Sequence, residues 1–196
     1  GEATLLELPT GWRNGARVLG RSDVLIMMQQ WYQTEHGLRR LGGNTSRNPA
    51  YKFQYFSEAP LIGDLIALMN ADRDHIGRAV EAAWESIITR NSAIAPDVLD
   101  TLDVSHVLVY VDHATEELLF FIDDVLPLTL VEEWQGPDWQ GRPSTIRLYA
   151  VDDIKEPSSA WEIDLAGEMG NLYLAEGWTS LPGDGARYAL HPTVDL

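Results

Sequence analysis

Acids, imidazoles and indoles are the groups in this sequence with chemistry to offer. Asp72-Arg73-Asp74 has the Asp-x-Asp form that can hold a divalent metal beside a nucleotide sugar. Two acids at the mouth of a helix are also what capping and the helix dipole select, and that is the stronger reading because no further ligands of metal spacing accompany them. Asp112-His113 falls where an apolar run ends and a helical pattern begins, a place where α/β proteins bind ligands and an imidazole can exchange protons near neutral pH. A plain surface turn is the competing reading, since Glu116 and Glu117 already occupy the helix N-terminus and no Ser or Cys nucleophile sits in a recognisable elbow. The pairs Asp123-Asp124, Glu132-Glu133 and Asp152-Asp153 resemble paired catalytic carboxylates, but sequence neighbours point in different directions on either a helix or a strand.

Two further groups suit binding rather than bond-making. Trp134 and Trp139 bracket a Gly/Pro-rich loop with Gln135, Asp138, Gln140 and Arg142, and flat rings beside planar polar groups match a sugar. One of the two indoles folding back on the sheet is the alternative. The segment from Tyr32 to Arg47 joins Tyr32, His36, Arg39, Arg40 and Arg47 to the pair Gly42-Gly43, whose backbone N–H groups would be open to a phosphate or carboxylate. The competing picture is a solvated loop whose arginines pair with surplus acids.

The elements that must position these groups are read from periodicity. Val107 to Val111 is a short β-branched run, expected as a central strand buried on both faces. Thr115 is expected to cap a helix with Leu118, Phe121, Ile122 and Val125 on one face, stopped at Pro127. Leu128 to Trp134 and Thr145 to Val151 read as two further strands joined by a loop from Gln135 to Pro143. Upstream, Thr4 to Leu8 is a strand ended by Pro9, and Thr10 to Gly15 reads as loop. A helix capped by Ser22 or Asp23 runs through Tyr32 to Gly37, and Arg39 to Pro49 reads as an exposed basic loop. Helices are expected from Pro60 through Met69, from Asp72 or Asp74 to about Asn91, and over Pro96 to Leu102. Beyond Asp152 the runs Trp161 to Leu165, Leu172 to Leu174 and Ala186 to Leu190 suggest antiparallel strands. The expected fold is α/β or α+β, a mixed sheet with covering helices on a strand-helix-strand-strand unit. An α/β domain over residues 1–153 is followed by a β-rich extension, or the start of a second module, over 154–196.

Composition narrows the partners. Thirty acids against fourteen bases give a formal charge of −16, which disfavours nucleic acid and anionic membrane alike. Residues 1–50 hold six of the fourteen bases and only four acids, so an anion site is expected in that third. Cysteine is absent, which removes disulfides, thiolate metal sites and a Cys nucleophile. No apolar run approaches the roughly 20 residues of a membrane span. The Gly1-Glu2 start, without Met or leader, suggests a domain cut from a larger protein with Gly1 left from a tag. Neither a tightly bound metal nor a cofactor is expected.

Tyr32-Gln33-Thr34-x-His36-Gly37 and Leu41-Gly42-Gly43-x-x-Ser46-Arg47, following Leu6-Glu7-Leu8-Pro9 and Gly11-Trp12-Arg13, resemble the soluble extracytoplasmic domains of bacterial polytopic membrane proteins of the glycosyltransferase C superfamily. Leu102 to Val109 and Ile146 to Tyr149 resemble the second half of such a domain, and Ala175-Glu176-Gly177-Trp178 the start of a β-rich module after it. The resemblance implies a membrane parent that moves a sugar from a polyprenyl-phosphate donor to an acceptor outside the cytoplasm, with its catalytic acid between membrane helices. On that basis the chain is expected to be a non-catalytic outer domain that positions acceptor, glycan or partner, and no catalytic residue is carried over to it. The alternative is a stand-alone soluble carbohydrate-active enzyme using Asp72, Asp74 or Asp112.

Overall fold

The computed structural model describes residues 3–21, 24–44, 49–152, 167–173, 178–181 and 187–190. Its centre is a five-stranded mixed sheet. β1 (Thr4–Leu8) lies between the two-residue β4 (Arg39–Arg40) and β6 (Val104–Tyr110), parallel to both, and β8 (Pro143–Val151) and β7 (Leu128–Pro137) continue antiparallel beyond β6. The run expected as a central strand is therefore the middle strand, ending one residue early because Val111 to His113 tighten into a 3₁₀ turn. A smaller sheet joins β3 (Val18–Gly20), β2 (Gly11–Arg13) and β5 (Gly43–Asn44), the last two in stretches expected as loop. The mixed α/β architecture and its strand-helix-strand-strand unit are as the sequence indicates. A C-terminal β-hairpin of β9 (Trp178–Leu181) and β10 (Arg187–Leu190) supplies the β-rich region. The expected strand at Trp161 to Leu165 lies outside the described residues. Leu172 ends a 3₁₀ turn rather than starting a strand, and that turn docks on the main body through the Tyr55 hydroxyl, which donates to the Leu172 carbonyl at 2.9 Å.

Register decides which side chains share a face. Leu6 and Leu8 on β1 stand beside Val107 and Val109 on β6, and Val107 faces Tyr149 on β8. On this face the helices α3 (Ile62–Leu68), α4 (Asp74–Thr101) and α5 (Glu116–Asp124) pack, and Leu65, Leu68, Val98, Leu99, Leu118 and Phe121 are buried against the strands. The opposite face carries Leu5, Glu7, Leu108, Tyr110, Ile146 and Leu148. Over its β1 end lies α1 (Val24–His36), which buries Leu25, Ile26 and Gln29 and leaves Trp31 exposed. The remaining helix, α2 (Ala50–Glu58), stacks Phe56 on Trp12 at 4.4 Å.

Sequence and structure part at α4. Pro96 was expected to open a separate short helix, yet one helix of 28 residues runs through it. A proline inside a helix removes a hydrogen bond and costs roughly 3 kcal/mol. Ile94, Ala95, Val98 and Leu99, all buried around it, offset that by packing on the sheet.

Thr115 caps α5 as expected. Its hydroxyl accepts from the Leu118 N–H at 3.2 Å and also donates to the Leu68 carbonyl at 2.7 Å, tying α5 to α3. Thr115→Val, which keeps the shape and removes both bonds, is expected to lower stability by about 1–2 kcal/mol, with Thr115→Ser near wild type. Urea denaturation of the two variants checks this, and equal midpoints would show that the hydroxyl contributes nothing.

Candidate functional site

The segment expected as an exposed basic loop is instead built into the fold. Arg39 and Arg40 pair with Thr4 and Leu5 as β4, and Gly43-Asn44 pairs with β2. The reason is Glu7, an acid standing in an otherwise apolar strand. The Arg40 guanidinium donates through Nε to Glu7 and through Nη2 to the Gln29 side-chain carbonyl at 2.8 Å. Gln29 in turn donates to the Pro9 carbonyl at 2.8 Å, and the Tyr110 hydroxyl donates to Glu7 at 3.2 Å. The side chains of Arg40 and Glu7 are only 3% and 1% exposed, so the pair belongs to the core and not to solvent. Burial pushes the Glu7 carboxyl above its usual range, although Arg40 and the Tyr110 hydrogen bond pull it back part of the way. Burial and the neighbouring Glu7 raise the Tyr110 phenol far above its usual range.

Among the expected ligand-binding residues, Tyr32, His36 and Arg40 are brought together around this network. Tyr32 is near enough to add to the upward shift of Tyr110, and Arg40 adds to the lowering of His36 that burial begins. The His36 Nδ1 accepts from the Leu38 N–H at 3.1 Å. Arg39 turns away to pair with Asp103 at 2.9 Å. Gly42 has φ +142°, and an added Cβ would stand 2.5 Å from the Thr10 hydroxyl, so Gly42 serves a close approach of chains, whereas Gly43 has room on that side. Arg47 lies outside the described residues.

The second place is a cleft at the carboxyl end of β6. It holds about 450 Å³ and is lined by Arg21, Asp72, Asp112, His113, Thr115 and the two acids that open α5. Asp72 is held by Arg21 at 3.0 Å, and Arg21 also donates to the Met69 carbonyl at 3.1 Å. Asp112 accepts the Thr145 N–H at 2.6 Å, which fastens the 3₁₀ turn to β8. The β7–β8 turn is shorter than expected. Its strands run to Pro137 and from Pro143, because β7 is an edge strand and tolerates Gly136 and Pro137 on its ladder. Asp138 clamps the tip, accepting from the backbone N–H groups of Gln140 and Arg142 at 2.7 and 2.8 Å and from the Arg142 side chain at 2.9 Å. This places the Trp139 indole flat against the His113 imidazole, with ring centres 5.5 Å apart and 21° between planes. Trp134 does not join it. Its ring lies over Gly136 farther down the strand and is half-exposed.

One carboxylate of each sequence pair is engaged locally, and Asp153 lies outside the described residues. Asp123 accepts from the Tyr149 hydroxyl at 2.7 Å, while Glu133 pairs with Arg147 at 2.8 Å and Asp152 accepts from Thr129 at 2.7 Å. Burial, with donation to Asp123, pushes the Tyr149 phenol up to about 12. Asp74 opens α4, and its partner in the Asp-x-Asp motif, Asp72, lines the cleft. Among the described residues no group of three or more His, Cys, Asp or Glu is arranged to hold a metal ion. Nor is any helix among them long and apolar enough to cross a membrane.

Sequence reasoning passed over Glu7, Gln29, Tyr110 and Arg21. Glu7 had a signal, an acid between Leu6 and Leu8 in a strand too apolar to face water. Arg21 had none. Compared with known proteins, the chain matches no family model, no curated protein and no solved structure.

Proposed function

We propose that the chain is a non-catalytic extracytoplasmic domain of a membrane glycosyltransferase-like protein, and that its β6 cleft positions a glycan or sugar-bearing acceptor. The resemblance carried by Tyr32 to Arg47 supplies the parent. The observation that supports binding is the cleft itself, in which carboxylates, a guanidinium, a hydroxyl and an imidazole surround about 450 Å³ beside the stacked Trp139 ring. A sugar asks for hydrogen-bonding groups of both kinds around its hydroxyls and an aromatic surface for its C–H face. Polyprenyl-phosphate-linked sugar is the corresponding partner on the membrane side, reached through the parent.

Neutral oligosaccharides titrated into the isotope-labelled chain are expected to move the His113, Trp139 and Thr115 signals together. Trp139→Ala should weaken binding at least tenfold, and Trp134→Ala should leave it unchanged. Movement at Trp134 alone, or none at any oligosaccharide, would sink the cleft reading.

One observation favours a second reading, a soluble carbohydrate-active enzyme: Asp72 and Asp112 face one cleft together with His113. Both carboxylates are already engaged, by Arg21 and by the Thr145 N–H, which suits positioning better than proton transfer. Turnover of an aryl glycoside that Asp112→Asn abolishes would decide for the enzyme.

A further inference from the structure

Beside the β6 cleft, the groove between α4 and α5 brings carboxylates and an indole to one cavity. It holds about 540 Å³ and is lined by Gly77, Arg78, Val80, Glu81 and Trp84 from α4 and by Glu117 from α5. Positions 77, 80, 81 and 84 recur at helical spacing, so a single stripe of α4 makes one wall, and Glu117 closes the groove from the neighbouring helix. Val80 is buried and Trp84 half-buried, which fixes the apolar part of that wall. Phe120, outside the lining, leans on the Trp84 ring with centres 5.5 Å apart and 49° between planes and steadies the indole.

The charges of the groove do not cancel. Among the described residues neither the Glu81 nor the Glu117 carboxylate has a hydrogen-bond or ion-pair partner. Arg78, the base of the lining, donates through Nε to the Asp74 carbonyl at 3.3 Å, one turn back along its own helix. An excess of negative charge is left in a chain whose formal charge is already −16. The dipole of α5 accounts for an acid at Glu117. It does not account for Glu81, which lies about two turns into α4.

These groups select a ligand by chemistry. A metal ion fits poorly, because among the described residues no third acid or imidazole joins the two carboxylates. An indole face attracts a cation through its quadrupole, most strongly where water is displaced, and a cavity of this size admits an organic body as well as a charge. We propose that the α4–α5 groove binds an organic cation, an alkylammonium whose charge is met by Glu81 and Glu117 and whose carbon body rests on Trp84. Glu117 lines the β6 cleft as well, so the two places adjoin, whereas Glu81 and Trp84 line the groove alone. Cation binding thus stands apart from any glycan in the cleft.

Choline is the probe, and its neutral isostere, in which a tert-butyl group replaces the trimethylammonium, is the control. At ionic strength held constant with sodium chloride, choline titrated into the intact chain is expected to shift the Trp84 indole N–H signal saturably, and the isostere to bind about tenfold more weakly. Glu81→Gln, a change on the exposed surface of α4, should weaken choline about threefold, the worth of one exposed ion pair. Arg78→Gln, which removes the competing positive charge, should tighten it. Choline binding more tightly than ethanolamine would identify a quaternary head, and the reverse a primary amine; either upholds the groove. Equal affinity for choline and its isostere would reveal an apolar crevice and overturn the assignment. So would the absence of a saturable shift at Trp84, an unchanged affinity in Glu81→Gln, or movement of His113 and Trp139 in place of Trp84, which would put the cation in the β6 cleft.

Discussion

Arg40→Met is expected to lower the unfolding free energy by about 3–5 kcal/mol at neutral pH, since it strands a buried carboxylate. Arg40 also satisfies the Gln29 carbonyl, so that acceptor is orphaned too. The loss should depend on pH with a definite sign. Glu7 has a folded pKa raised above 4.5, so its proton stabilises the native state below about 4.5 and that contribution is lost as pH rises through the folded pKa. Without Arg40 the folded pKa moves higher still. The gap between Arg40→Met and wild type should therefore be small below about pH 4.5 and largest at neutral pH and above. The double variant Glu7→Gln/Arg40→Met, with no charge left to bury, should recover part of the loss. Urea midpoints across pH measure all of this, and a gap under about 1 kcal/mol at every pH would mean that the pair is solvated in solution.

Phe121→Ala carries the other large effect, an expected loss of about 3–5 kcal/mol. Phe121 is among the largest fully buried side chains, set between Leu118 and Ile122 on the face of α5 that meets the sheet. Its neighbour Phe120 is 46% exposed and only tilts against Trp84. Phe120→Ala should therefore cost less than about 1 kcal/mol. Because the N-cap and the first two residues of α5 line the cleft, Phe121→Ala should also loosen the proposed glycan binding, while Phe120→Ala should not. Similar melting temperatures for the two variants would contradict the packing described above.

The pattern of periods was enough to locate β1, β6, α5, β7 and β8, because each presents a repeating apolar face or an uninterrupted apolar run. Thr115 was legible for a similar reason, since capping is local chemistry. Arg40 was not. Its burial depends on Glu7, which is 33 residues away in sequence, and a guanidinium is normally read as solvent-facing. The small sheet of β2, β3 and β5 was equally invisible, because strands of two or three residues exist only through their partners. At Pro96 local propensity argued for a break, and tertiary burial overrode it. The cleft was half legible. Asp112, His113 and Trp139 could be named, but their meeting depends on where the β7–β8 turn folds, and Arg21 enters from a loop with no pattern at all.

The sheet ends differently on its two sides. On one side the last strand has two residues, and a buried ion pair roots it. On the other, ten residues of β7 lie along the rim with Leu130, Val131 and Trp134 exposed and a register irregularity between Leu130 and Glu132. Growth by addition of another chain is thus a one-sided hazard, kept in check by that irregularity and by Glu132 and Glu133, whose repulsion between copies weakens in salt. Colloidal behaviour, concentration limits and the choice of storage buffer for this protein should accordingly follow ionic strength more than temperature.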